Sequence, residues 1–416
     1  MPESIDKQLP YQAFEIIEGG VCAPQGFTAS GVHCGIRKNR TKRDLALIYS
    51  AVRCSAASVY TLNRVQGAPI AVTKSNISDG MASAILCNSG NANTCNHDGE
   101  EVARQMCALV ADELSINKSD VIIASTGVIG QPLDITPIAG GIPALVSALG
   151  DNSRDAAEAI MTTDIALKEY AVCFTIGGKK CKIGGIAKGS GMINPNMATM
   201  LAFLTTDAAI SPAMLGKALS ADVCDTFNMV SVDGDTSTND MVSVLANGMA
   251  GNEQIACEGA DYIVFCAALR QVTTYLCRAI ARDGEGATKL LECRVTGAAS
   301  EHDARTAAKA VISSSLVKCA MFGADANWGR VLCALGYSGA GSGAERASVA
   351  FSSKNGKVRV CVHGAGVAFD EAAAKQVLSA DEIVIEIELL GGNAGAVAWG
   401  CDLTYDYVKI NGDYRT

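Results

Sequence analysis

The sequence of 416 residues predicts a mixed α/β protein in which sheets and helices form layers. Two observations lead to this class. Patterns typical of amphipathic helices alternate with patterns typical of strands along the whole chain, and no long polar linker or internal repeat interrupts them. Hydrophobic residues make up 49% of the chain and charged residues 19%, a balance that provides enough apolar side chains for a sizeable core.

The first half of the chain shows the alternation clearly. The predicted elements are a helix at 100–114, a buried strand at 121–124, a helix at 151–161 and a hairpin of strands 171–176 and 182–186. In the first helix Val102, Met106 and Val110 recur every four residues, which places them on one face. The hairpin is indicated by the sequence Gly-Gly-Lys-Lys at 177–180, between two runs rich in strand-forming residues.

The second half contains the longest helical pattern, at 260–281. Its predicted inward residues are Ile263, Cys266, Val272, Leu276 and Ile280. Asp283 and Gly284 are expected to end this helix, with Gly284 as a left-handed cap. Later elements are predicted as a strand at 290–295, a helix at 303–313 and a strand at 382–389. The end of the long helix predicts a domain boundary, which divides the chain into residues 1–284 and a smaller α/β domain at 285–416.

The charge of the chain excludes some classes of partner. Lys and Arg number 34 and Asp and Glu number 43, which gives a net charge of −9. A negative field repels phosphate groups, so binding to nucleic acid or to an anionic membrane is not expected. No uninterrupted apolar run approaches the roughly 18 residues that span a bilayer. The first residues carry acids where a secretory signal carries basic residues, so we expect a cytoplasmic protein.

The seventeen cysteines do not predict a disulfide framework or a metal site. Their number is odd, none is arranged as Cys-x-x-Cys, and none forms a compact set with the four histidines. Several lie in apolar runs, where a reduced thiol packs as a small hydrophobic group. We therefore expect reduced thiols in the core and no bound metal.

The most unusual segment is residues 188–204, where glycine, proline and asparagine residues precede Ala198, Thr199 and an apolar run. This pattern allows two interpretations. A strained turn before Thr199 suits an N-terminal nucleophile, whose hydroxyl attacks the preceding carbonyl and whose new α-amine, with a pKa of roughly 8, then serves as general base. Alternatively, a glycine loop enters a core strand, and Thr199 is present for its strand propensity.

The sequence Lys-Gly-Ser-Gly-Met-Ile-Asn-Pro-Asn-Met-Ala-Thr-Met-Leu at 188–201 resembles the self-processing site of the ornithine acetyltransferase family of arginine biosynthesis. The resemblance extends over nearly the whole chain, in the family's order, through blocks at 19–27, 88–93, 125–130, 161–164, 231–240, 282–289, 325–330 and 399–411. It implies a layered α/β sandwich of the kind found in N-terminal-nucleophile enzymes, with the catalytic site in residues 1–284 and further substrate contacts in 285–416.

The resemblance also implies roles for individual residues. Thr199 matches the nucleophile, and the bond between Ala198 and Thr199 matches the cleavage site, which would give an α chain of residues 1–198 and a β chain of residues 199–416. Thr126 and Gly127 match the oxyanion hole. The residues that match substrate contacts are Thr162, Lys188, Thr199, Glu285, Asn411 and Thr416. No cofactor is implied.

The activity that this resemblance implies is transfer of acetyl from N2-acetyl-L-ornithine to L-glutamate by a ping-pong route through acetyl-Thr199. The assembly expected is α2β2. A bifunctional enzyme that also accepts acetyl-CoA is an alternative that no residue decides. A self-processing amidohydrolase or aminopeptidase and a non-catalytic amino-acid-binding protein are two others, against which the matched substrate and catalytic residues argue.

Overall fold

The computed structural model describes residues 14–38, 41–194, 200–341 and 343–413. The strands in chain order are β1 (Glu15–Ile17), β2 (Phe27–Val32), β3 (Leu45–Tyr60), β4 (Met81–Asn91), β5 (Val121–Val128), β6 (Lys168–Ile176), β7 (Lys179–Lys188), β8 (Leu201–Thr206), β9 (Val230–Ser231), β10 (Met241–Ala246), β11 (Leu290–Ala298), β12 (Ser348–Ser353), β13 (Gly356–Val362), β14 (Ala365–Gly366), β15 (Glu382–Glu388) and β16 (Ala394–Cys401). The helices are α1 (Ala68–Asn76), α2 (Gly99–Leu114), α3 (Thr136–Ser147), α4 (Ser153–Ile160), α5 (Pro212–Asp225), α6 (Ala260–Arg282), α7 (Glu301–Ser313), α8 (Ser315–Phe322), α9 (Trp328–Tyr337), α10 (Glu371–Leu378) and α11 (Tyr405–Gly412).

These elements form two compact units. Unit 1 comprises the described residues within 1–189, 196–223 and 236–276, and unit 2 comprises those within 190–195, 224–235 and 277–416. The division of the chain therefore falls within α6. The sequence-based boundary between residues 284 and 285 stays a prediction about domains.

The sheet of unit 1 depends on one long strand. Its order is β1-β6-β7-β8-β10-β3-β4-β5, with β2 also paired to β3. Along one edge of β3, residues 45–50 pair with β2 and residues 55–60 pair with β10. Along the other edge, β4 pairs with residues 45–49 and 54–55. The register of β3 against β4 shifts between Tyr49 and Cys54, so extra residues are accommodated where the strand changes partners.

Alternation along these strands supplies two cores. Ile48 and Ile85, from the β3–β4 half of the sheet, share one buried cluster with Phe203, Leu245 and Ile160. Their sequence neighbours point to the opposite face, because successive side chains alternate across a strand. Leu47 and Leu86, the neighbours of Ile48 and Ile85, therefore belong to a second buried cluster. This cluster also includes Ile123 of β5, Met106 of α2 and Ile142 of α3. The layers of sheet and helix confirm the predicted α/β class.

The sheet of unit 2 has the order β14-β13-β12-β15-β11-β16-β9. Its centre combines a parallel pair, β11 with β15, and an antiparallel pair, β11 with β16. Helix α7 packs against β11 and β16. Its buried face is formed by small residues and short branched residues, namely Ala304, Ala307, Ala308, Val311 and Ile312. The small alanines let the helix lie close to the sheet.

The predicted helices, strands and hairpin are all present, with bounds that differ by a few residues. Two details were wrong. Ile263 is 43% exposed, and the buried face of α6 instead runs through Phe265, Leu269 and Val272 before Leu276 and Ile280. Gly284 is not among the glycines with positive φ, so it does not form the predicted left-handed cap. Several apolar faces fit the α6 sequence, and the period alone did not select the correct one.

Helix α6 is long and apolar enough to cross a membrane by length and composition alone. Half of its most apolar stretch is buried within the described protein, and Phe265, Leu269 and Val272 are completely buried. A core helix passes the same test, so packing accounts for its apolar composition.

All seventeen cysteines lie in the described part of the chain, and all are free thiols. Cys54, Cys87, Cys107 and Cys293 are among those that are buried. Burial raises the pKa of Cys54 and Cys87 to about 12, so these thiols stay protonated at neutral pH. They act as small core residues, as the sequence predicted.

Candidate functional site

The structure places the predicted site residues in two groups. In unit 1, Thr126 and Gly127 lie near the end of β5, Thr162 follows α4, and Lys188 is the last residue of β7. In unit 2, Glu285 follows α6 and Asn411 lies in α11. Ala198, Thr199 and Thr416 lie outside the described residues.

Close approach of two strand ends shapes the backbone at Thr126 and Gly127. Strands β4 and β5 are parallel, and their register pairs Ser89 with Thr126 and Gly90 with Gly127. The φ of Gly127 is +132°, which favours glycine, and a Cβ there would lie 2.6 Å from the nitrogen of Asn91. Only glycine fits this position, which explains its place in the Ser-Thr-Gly sequence.

Buried amide side chains hold the same strand ends. The Ser125 hydroxyl donates to Oδ1 of Asn88 over 2.5 Å, and Nδ2 of Asn88 donates to the carbonyl of Asn91 over 2.9 Å. Nδ2 of Asn239 donates to the carbonyls of Ala92 and Ser125 over 2.5 and 2.9 Å. The asparagines of 88–93 and 231–240 thus satisfy backbone groups that the strands leave unpaired.

Lys188 reaches the hydroxyl of Thr126. Its Nζ lies 3.4 Å from Oγ1 of Thr126, and Lys188 is buried. Burial lowers the pKa of Lys188, although the charge of Asp164 opposes that shift. Because an ammonium group can only donate, the Thr126 oxygen is the acceptor, and its own proton is available for a further acceptor. This contact brings together two residues that the sequence selected separately.

A buried carboxylate lies beside this contact. Oδ1 of Asp164 accepts from Nζ of Lys168 and from the backbone N–H of Gly189, both over 2.7 Å. Oδ2 accepts from the backbone N–H of Thr162 over 2.9 Å. Burial disfavours the charged form, but the positive charges of Lys168 and Lys188 outweigh it, so the pKa of the Asp164 carboxyl lies well below its usual range.

A second buried carboxylate shapes the loop that follows β2. Asp44 accepts from the backbone N–H groups of Cys34, Gly35 and Arg37 at 2.7, 3.2 and 3.0 Å. The guanidinium of Arg37 donates to the carbonyl of Met161. Its charge also contributes to the lowered pKa of Lys188, after burial. Arg37 is therefore a further cation of this group of residues, and sequence reasoning missed it.

Glu285 is the centre of the group in unit 2. Its backbone N–H donates to the carbonyl of Ser190 over 2.9 Å, and Nδ2 of Asn411 donates to its Oε2 over 2.7 Å. A Cβ at Gly191 would lie 2.5 Å from Oε1 of Glu285, so the carboxylate occupies the space that a side chain at Gly191 would need. Two predicted substrate residues, Glu285 and Asn411, are thus brought together.

Asp233 holds the segment that precedes the predicted cleavage site. Its carboxylate accepts from the backbone N–H groups of Met192 and Ile193 over 2.6 and 2.8 Å and from the hydroxyl of Tyr407 over 3.2 Å. Burial and then the charge of Asp233 raise the pKa of Tyr407. The acidic run 233–240 therefore makes hydrogen bonds within the protein. Within the described ranges no group of three or more His, Cys, Asp or Glu residues could hold a metal ion.

Comparison with known proteins identifies the family. The family model described as the ArgJ family matches residues 28–416. The chain belongs to the ArgJ family. The membership confirms the family that the processing-site motif suggested and the predicted class of enzyme, an acyltransferase.

Two relatives match nearly the whole chain. The arginine biosynthesis bifunctional protein ArgJ of Symbiobacterium thermophilum is 52% identical over 405 residues, which are 97% of this chain and 100% of the relative. The ArgJ protein of the same description from Caldanaerobacter subterraneus subsp. tengcongensis is 50% identical over 404 residues, again 97% and 100%. A crystal structure of ArgJ from Bacillus halodurans is 48% identical and has a TM-score of 0.49. It covers 51% of this chain and 99% of its own.

The first prediction concerns the close approach at Gly127. Gly127→Ala should lower the free energy of unfolding by about 3 kcal/mol, because the new Cβ meets rigid backbone and the φ is unfavourable. Gly130→Ala is the matched control, since its φ of +77° is also positive but no atom lies within 4 Å of the new Cβ. It should lower stability by about 1 kcal/mol. Urea unfolding of both variants measures the difference, and equal losses would contradict the close approach.

Proposed function

We propose that this protein transfers an acetyl group from N2-acetyl-L-ornithine to L-glutamate through an acetyl ester on Thr199. The reaction would recycle acetyl groups in arginine biosynthesis, in the cytoplasm. The observation that carries the proposal is the contact between Lys188 and the Thr126 hydroxyl at the strand end that matches the family's oxyanion hole. Membership of the ArgJ family and the match of Thr199 to its nucleophile support the same conclusion.

The proposed chemistry begins at Thr199. Its hydroxyl attacks the acetyl carbonyl of acetylornithine while its α-amine takes the hydroxyl proton. The tetrahedral intermediate carries a negative oxygen, to which the Thr126 hydroxyl and the Gly127 N–H donate hydrogen bonds. Collapse breaks the amide bond, the proton passes to the leaving amine, and ornithine departs. The neutral α-amine of glutamate then attacks the acetyl ester, and the α-amine of Thr199 passes the proton that this nitrogen loses to the Thr199 oxygen as the ester bond breaks. Acetylglutamate leaves and Thr199 is regenerated.

Lys188 has a role in this scheme that follows from its geometry. It donates to the Thr126 oxygen, which leaves the Thr126 proton to point to the developing oxyanion. Hydrogen bonds in a chain polarise one another, so a donor that itself accepts from an ammonium group is a stronger donor. A buried cation also stabilises a nearby negative charge more than an exposed cation does.

Substrate recognition is assigned to the remaining matched residues. The Glu285 carboxylate, oriented by Asn411, is suited to the side-chain ammonium of ornithine. Thr162 and Lys188 are suited to carboxylate and carbonyl groups of the substrates, and Thr416 adds a hydrogen bond by its match to the family. Both substrates are α-amino acids, so one set of residues can serve donor and acceptor in turn.

The precursor is proposed to cut itself between Ala198 and Thr199, and the fragments to assemble as α2β2. The wild-type protein should therefore run as two chains, and its β chain should begin at Thr199. Thr199→Ala should stay as one chain without acetyl transfer, because it has no hydroxyl to attack the preceding carbonyl. Thr199→Ser is the control and should still be cut. A denaturing gel with mass spectrometry of the fragments makes the measurement, and a fully active uncut wild type would refute the mechanism.

The same preparations separate the alternative functions. Acetyl transfer to glutamate is assayed with acetylornithine and with acetyl-CoA as donor. The curated relatives are named bifunctional, which favours use of both donors. Formation of acetylglutamate from acetylornithine supports the proposal. Release of free acetate without acetylglutamate would instead identify a hydrolase.

A second experiment tests Thr126. Thr126→Ala removes one donor to the oxyanion and should reduce kcat by on the order of 10²-fold, with a smaller change in KM. The control is Thr175→Ala, which alters an exposed threonine on β6 of the same unit. An unchanged kcat in Thr126→Ala would show that Thr126 is only a strand residue.

A third experiment displaces Glu285 without removing it. The new Cβ of Gly191→Ala meets the far end of a flexible side chain, so the fold should tolerate it while the carboxylate moves away. We expect an unchanged melting temperature and a KM for acetylornithine raised by roughly 10- to 150-fold, the loss of one hydrogen bond to a charged group. Gly336→Ala in α9, where the new Cβ meets no atom within 4 Å, is the control. An unchanged KM would exclude Glu285 from substrate binding.

A further inference from the structure

The carboxylate of Asp164 joins two segments that carry predicted site residues. One oxygen accepts from the N–H of Thr162, and the other accepts from the N–H of Gly189, the residue after Lys188. Residues 162 and 189 are far apart in sequence. The Asp164 carboxylate holds their backbone N–H groups close together. The Cα of Lys188 is directly bonded to the peptide unit that Asp164 holds.

Lys168 neutralises this carboxylate. Its Nζ lies 2.7 Å from Oδ1 of Asp164, and the side chains of both residues are almost completely buried, at 1% and 0% exposed. A buried ion pair contributes little net stability relative to apolar side chains of the same size, because both charges lose their hydration. Stability therefore does not explain why this position carries a charged pair.

Neighbouring charges make the position of Lys188 sensitive to Asp164. The ammonium of Lys188 is buried among the cations Lys168 and Arg37, which repel it, and Asp164 is the carboxylate that attracts it. If Asp164 were removed, the Lys188 ammonium would lose the carboxylate that attracts it. The N–H of Gly189, the next residue, would also lose its hydrogen-bond acceptor.

We propose that Asp164 is a positioning residue that directs the Lys188 ammonium onto the Thr126 hydroxyl, with Lys168 as its counter-ion. This inference deepens the proposed function and rests on it for the role of Thr126. Asp164 acts by clamping the Thr162 and Gly189 backbones, and it does not contact the reacting atoms.

A double-mutant cycle tests the inference. Asp164→Asn with Lys168→Met removes both charges and leaves side chains of similar size. The pair of changes is made in the wild type and in Thr126→Ala, and kcat is measured per active site, with active sites counted from the burst of acetylated enzyme. In the wild-type background kcat should fall by roughly 10- to 100-fold, the effect of a misplaced catalytic contact. In Thr126→Ala the further fall should be less than about threefold, since the residue through which Asp164 acts is already lost.

Equal losses in the two backgrounds would overturn the proposal, because a purely structural role does not depend on Thr126. Asp164→Glu is the second variant, should the paired variant fail to fold. It keeps the charge that pairs with Lys168, and its longer side chain displaces the carboxylate from its two N–H partners. Its loss of kcat should show the same dependence on Thr126.

A crystallographic measurement separates this inference from the proposed function. In the paired variant, or in Asp164→Glu, Nζ of Lys188 should move out of hydrogen-bond distance of Oγ1 of Thr126. An unmoved Lys188 would refute the positioning role. A wild-type enzyme that transfers no acetyl from either donor would refute the proposed function instead, and the crystallographic result would still decide the role of Asp164.

Discussion

A carboxylate that cannot reach water must find its hydrogen bonds and its counter-charge inside the protein. Asp164 meets this requirement with two backbone N–H groups and the Lys168 ammonium. Thr162 and Lys168 are close to Asp164 in sequence, whereas Gly189 follows β7, so satisfying the carboxylate also fixes the end of β7. The orientation of Lys188, and through it that of Thr126, follows from this one constraint.

The same physical rule organises unit 2. Asp233 accepts hydrogen bonds from the backbone N–H groups of residues 192 and 193. Glu285 is held by the side-chain amide of Asn411 and by its own N–H, which donates to the carbonyl of Ser190. In both units, acidic side chains have been placed where they replace water as acceptors for irregular backbone. Such backbone could not be buried otherwise, since unpaired N–H groups are costly in the interior.

The sequence was informative wherever a local pattern determines the structure. Helix α2 follows from the period of its apolar residues, and the β6–β7 hairpin follows from its Gly-Gly-Lys-Lys turn. The family resemblance selected Thr126 and Lys188. The sequence did not assign a role to Asp164, Lys168 or Asp44, because charged residues are usually solvated and no local pattern distinguishes the buried ones. Their partners become apparent only in the folded chain, as in the hydrogen bond from the N–H of Gly189 to Asp164. Ile263 was misplaced for a related reason, since neighbouring helices and strands decide which apolar face of a helix packs.

The long strand β3 has a consequence for a chain that is cut. Its second half pairs with β10 over residues 241–246. Strand β7 pairs with β8, and the stretch of sequence between these two strands contains the proposed cleavage site. A cut between Ala198 and Thr199 would leave β3 and β7 in one polypeptide and β8 and β10 in the other. Strands β8 and β10 of one polypeptide would then lie side by side between β7 and β3 of the other, within one hydrogen-bonded sheet. Dilution alone would not separate them, because each would have to give up a shared core. The fragments would remain one folding unit although no peptide bond joins them.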